Sequence, residues 1–108
     1  MTETFAEALQ KLQAGLDMLN AQDVSHLPAR QLAMVEKSKT ALYGEIQHLQ
    51  AREIEERDAD YAVVTAALRN SKADLTALSG WIAEREAEDR AVFTMLSKGI
   101  GIVLSLLV

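Results

Sequence analysis

Residues 50–60 read QAREIEERDAD. The fold turns on whether this run is helix or loop. It holds no Gly, Pro, Asn or Ser, the residues that usually make a turn. Glu, Arg, Gln and Ala are good helix formers, so the composition favours a continuous helix with a solvated middle. The alternative is a loop joining two antiparallel helices.

Apolar stripes flank the run on both sides. Before it come Leu32, Val35, Leu42, Ile46 and Leu49, with Lys39 filling one position. After it come Tyr61, Val64, Leu68, Leu75, Leu78 and Ile82, with Ser71 as the one polar member. Both stripes follow coiled-coil spacing. The step from Leu49 to Tyr61 is one position too long for a single register, so the seam slips across the charged run. A continuous helix over 28–90 would extend about 95 Å at ~1.5 Å per residue. The chain's first helix covers about 25 Å of that. A half-buried seam does not stabilise a lone helix, so a continuous helix implies a second copy or a helical protein partner. The loop reading instead closes the helical segments into a three-helix bundle.

That first helix is predicted over 4–20. Phe5, Leu9, Leu12, Leu16 and Leu19 fall on one stripe, and Thr4 with Glu7 matches a capping box. Gly15 weakens the helix without ending it. A turn follows at 21–28. Pro28 belongs in a first helical turn, with Ser25 or Leu27 as the cap.

The C-terminal residues 98–108 read KGIGIVLSLLV. Residues 91–108 form a hydrophobic segment whose helical length would be about 27 Å, slightly short of a roughly 30 Å hydrocarbon core. Lys98 lies inside it. In one reading the helix runs through and Ile100, Ile102, Val103, Leu104, Leu106 and Leu107 enter a membrane. In another, Lys98 sits in a last helical turn, Gly99 takes a left-handed terminating position and Ile100 packs back; the remainder is then a separate segment, rich in Ile and Val. A membrane, a partner or the protein's own bundle must cover such a run. A truncated longer span is a third reading.

The whole reads as an all-α chain: a helical coiled-coil or bundle region over 1–90 and a hydrophobic tail over 91–108. The 108 residues carry a net charge of −5 and no cysteine. Disulfides, thiol catalysis and Cys-ligated zinc are excluded. Lysines and arginines are scattered among acids, which disfavours nucleic acid as a partner. The N-terminus lacks the basic and apolar regions of a signal peptide.

Chemistry finds little support. Glu45 with His48, and Asp23 with His26, share a one-turn spacing that bundles use for paired metals. The second pair falls in the turn before Pro28, and the simpler reading is solvent-facing histidines. Residues 84–90 form a solvated face with pairs such as Glu86 to Arg90. No phosphate loop or nucleophilic arrangement occurs. The expectation is no enzyme, no catalytic or metal residue, no cofactor and no small-molecule substrate. Trp81 reads as a core aromatic beside Ile82.

Coiled coil followed by a short hydrophobic end is similar in layout to small phage and bacterial lysis accessory proteins of the haemolysin type. The similarity rests on no shared motif, so it assigns no residue a role. The expected function is a self-associating helical scaffold tethered to a membrane by its tail, with the helical part in the cytoplasm. The alternative is a cytoplasmic homo-oligomeric scaffold or adaptor with the tail buried in the assembly.

Overall fold

The structure is a computed structural model that describes residues 3–89 and 93–107. Among these residues there are four α-helices: α1 (Phe5–Ala21), α2 (Ala29–Glu56), α3 (Ala66–Asp89) and α4 (Thr94–Leu106). The all-α class follows. Each helix packs against the next, and α4 closes the ring on α1. Lys37 on α2 faces Asp74 on α3, and Leu96 at the start of α4 meets Gln22 at the end of α1. Neighbouring helices therefore run antiparallel, in a bundle 46 Å long.

Two helix starts follow the sequence closely. Thr4 caps α1, accepting from the Glu7 N–H at 3.2 Å while Glu7 accepts from the Thr4 N–H. The expected capping box is present. Pro28 immediately precedes α2, where its missing N–H costs nothing.

The continuous helix is not what forms. α2 stops at Glu56, and α3 begins only at Ala66. The break needs no Gly or Pro because another part of the chain satisfies it. The Phe5 and Ala6 N–H groups, among the first in α1 and so without partners in their own helix, donate to the Ala59 and Arg57 carbonyls at 3.0 and 3.2 Å. The Tyr61 N–H donates to the Glu3 carbonyl at 2.7 Å. Unpaired groups at one helix start and one helix end thus meet each other. Tyr61 and Val64, assigned by spacing to a helical seam, lie in the connecting segment, with the Tyr61 ring edge-on to Phe5 at 5.9 Å. Thr65 caps α3, its hydroxyl accepting from the Leu68 N–H.

The tail is the fourth helix. Among the described glycines none has positive φ, so Gly99 is not a left-handed terminator, and the chain runs helically through it to Leu106. Gly99, Ile100, Val103 and Leu96 are buried. The boundary between 90 and 91, and the Glu86–Arg90 pair, lie outside the described residues.

Candidate functional site

The two stripes expected to meet another chain face the interior of this one. Val35, Leu42, Ile46 and Leu49 are buried on α2, and Leu68, Leu75, Leu78 and Ile82 on α3. Leu32 and Val64 are half-buried at the edge of this core. Their neighbours are helices of the same chain, including the tail.

The α1–α4 contact depends on two glycines. A Cβ at Gly99 would lie 3.0 Å from the Gly15 carbonyl oxygen and 3.2 Å from Leu19 and Met18. A Cβ at Gly15 would lie 2.9 Å from Val103. The absence of both side chains lets the two backbones approach and lets Val103 fill the gap. Outside this crossing lies an open groove of about 670 Å³, mostly apolar, lined by residues including Lys11, Ala14, Met18, Lys98, Gly101 and Ile102. Lys98 is exposed, Ile102, Leu104 and Leu106 are half-buried, and Leu107 is buried. Lys11 pairs with Glu3.

The α2–α3 connection is held differently. Glu45 is fully buried. Its carboxylate accepts from the Tyr61 hydroxyl at 2.7 Å and from the Val64 and Thr65 N–H groups, each at 2.8 Å. It clasps the connecting segment and supplies negative charge at the N-terminal end of α3, where the helix dipole favours it. Burial, then the hydrogen bond to Glu45 and its charge, push the Tyr61 phenol well above its ordinary range. No solvent reaches the carboxylate.

Glu45 and His48 lie one turn apart on α2 but do not pair: His48 is exposed, whereas the Glu45 carboxylate is buried and engaged by Tyr61, Val64 and Thr65. Asp23 binds the Ser25 N–H at 3.0 Å, an interaction that holds its carboxyl below the ordinary value. His26 stacks obliquely on Phe93. Among the described residues no three His, Asp or Glu side chains gather as a metal would need. Trp81 is half-buried rather than fully in the core, edge-on to Phe93 at 5.6 Å and covered by the Arg85 guanidinium at 4.4 Å.

Sequence reasoning missed the clasp and the glycine crossing. Glu45 had one visible signal: it is the only charged residue between Thr40 and Ala51. Gly15 and Gly99 had none beyond being glycines within apolar helical patterns. The chain matches no protein-family model, no curated protein and no solved structure.

Proposed function

We propose that this chain is a non-enzymatic helical interaction protein, a small scaffold or adaptor that works through the outer faces of its bundle. One observation carries the reading: the apolar stripes are covered within the chain, while the α1–α4 groove and the outer face of α2 are open. Association with a second copy or a helical partner then uses those faces rather than the heptad stripes.

A second reading keeps the membrane as partner. The α1–α4 groove sets half-buried Met18 and Ile102 near Lys11 and Lys98. Apolar residues beside lysines suit an anionic bilayer surface. No described helix is long and apolar enough to cross a membrane, so here α4 lies along the interface and holds the bundle on the cytoplasmic side.

The test uses the full chain. Flotation with vesicles, anionic and neutral, reports the membrane arm; sedimentation across about 1–100 µM reports association in the range expected of small interfaces. Binding to anionic vesicles that weakens in Lys98→Glu supports the membrane reading. A chain that stays monomeric and ignores both vesicle types contradicts the proposal.

A further inference from the structure

We infer that the outer face of α2 is a self-complementary docking surface for a second copy of this chain, seated antiparallel about a two-fold axis at Gln47. The inference rests on the reading that exposed helix faces carry the function, and it names the occupant of one of them.

Thr40, Tyr43, Gln47, Ala51 and Ile54 are all exposed. At the α-helical repeat they fall within an arc of about 80°, opposite the buried face. Their successive steps of three, four, four and three positions read the same from either end. A copy laid antiparallel therefore presents the same stripe. Tyr43 meets the partner subunit's Ala51, a large side chain on a small one. Thr40, its hydroxyl already bonded to the Glu36 carbonyl at 3.1 Å, meets the partner subunit's Ile54. Gln47 meets its own mate, and two carboxamides can each donate to the other. A residue pairing i with j and j with i is what an isologous interface requires.

Charge selects a second copy as the occupant. The protein carries −5, so most contacts between two copies bring like charges together. Residues 40–51 contain one charged side chain, Glu45, and it is fully buried. The middle of the stripe is therefore neutral on its outer surface, and an acidic copy approaches it there without repulsion, with charges confined to the two ends. Depletion of charge with an exposed tyrosine is also the composition of an interface core. Among the described residues, Ile54 at 97% and Tyr43 at 57% are the most exposed large apolar side chains, and both lie on this stripe. Beside Tyr43, Gly44 leaves open space where a Cβ would stand.

The stripe is about 21 Å long. One helix face of that length buries less than the ~1,200 Å² of a stable interface, so the dimer is weak, with Kd about 10–100 µM.

The chain's lack of cysteine makes the test clean. Gln47→Cys places a unique thiol on the two-fold axis, and Lys72→Cys places one on the exposed face of α3 as a control. Under mild oxidation Gln47→Cys is expected to form a disulfide-linked dimer at least about tenfold faster than Lys72→Cys. Sedimentation equilibrium of the full chain is expected to show a monomer–dimer equilibrium. Gln47→Glu, which sets two carboxylates against each other, should weaken it about tenfold or more. Equal oxidation rates, a dimer indifferent to Gln47→Glu, or a wild-type monomer up to about 500 µM would each overturn the inference. Vesicle binding through the α1–α4 face is read separately, so loss of the dimer alone leaves the proposed function standing.

Discussion

The two helix pairs of this bundle solve the same problem by opposite means. α1 and α4 meet where side chains are missing, at Gly15 and Gly99, and what holds them is close contact between backbones and Val103. α2 and α3 meet through leucines and are joined at one end by a buried carboxylate with three donors. The first contact is intolerant of added volume. The second is intolerant of a lost acceptor. A change that is mild in one region is therefore severe in the other.

Glu45→Leu should have the largest effect. It leaves the Tyr61 hydroxyl and two backbone N–H groups without an acceptor, and each unsatisfied group costs roughly 1–3 kcal/mol. Added volume and apolar contact offset part of this, so a net loss of about 3–5 kcal/mol in urea unfolding is expected. A stability equal to wild type would remove the clasp from the account.

Leu78→Ala comes next. This side chain is 1% exposed, and deleting it should cost about 2–4 kcal/mol. Glu84→Ala, on an exposed position of the same helix, should change stability by less than about 0.5 kcal/mol. Comparable effects from the two would mean the buried face of α3 is misplaced.

Gly99→Ala separates the regions most sharply. In an open helical position alanine gains about 1 kcal/mol over glycine. Here its methyl presses on the Gly15 carbonyl, a backbone atom that yields little, and overpacking of this kind costs about 1–3 kcal/mol. Net destabilisation of about 1 kcal/mol is expected. The same change at Gly101, where nothing stands within 4 Å, should be stabilising. If both alanines stabilise, α1 and α4 do not cross at Gly99.

The smallest effect is alkaline. The folded Tyr61 phenol has its pKa raised by burial and by Glu45, whereas in the unfolded chain it titrates near 10. Its stabilising contribution is therefore complete below about pH 10 and declines as pH rises above that. Thermal melts of wild type and Tyr61→Phe should run parallel up to that pH, after which wild type should fall more steeply. Parallel curves throughout would place the phenol in water.

These regions also differ in how much of them could be read from the sequence. The start of α1 was legible because Thr4 and Glu7 lie one turn apart and act locally. Pro28 marked α2 for the same reason. The break after Glu56 was not, because the groups that end the helix, the N–H of Phe5 and Ala6, lie some fifty positions away. Spacing gave one hint, the slipped register before Tyr61, and that slip is the connecting segment itself. At the tail, Lys98-Gly99-Ile100 has the local form of a helix end. Packing against Gly15 decides otherwise, and no local pattern records it. The α2 face was hidden because periodicity marks what is apolar and passes over a stripe that is merely uncharged.

Nuclear Overhauser spectra of the full chain in water without detergent decide whether the apolar C-terminal segment is the fourth helix of the bundle, crossing α1 at Gly15. Cross-peaks are expected from the Gly99 α-protons to the Leu19 methyls and from the Val103 methyls to Gly15, with helical amide connectivities continuing from Thr94 to Leu106. Absence of these cross-peaks, with amides of residues 99–106 exchanging as freely as an unfolded chain, would contradict that placement.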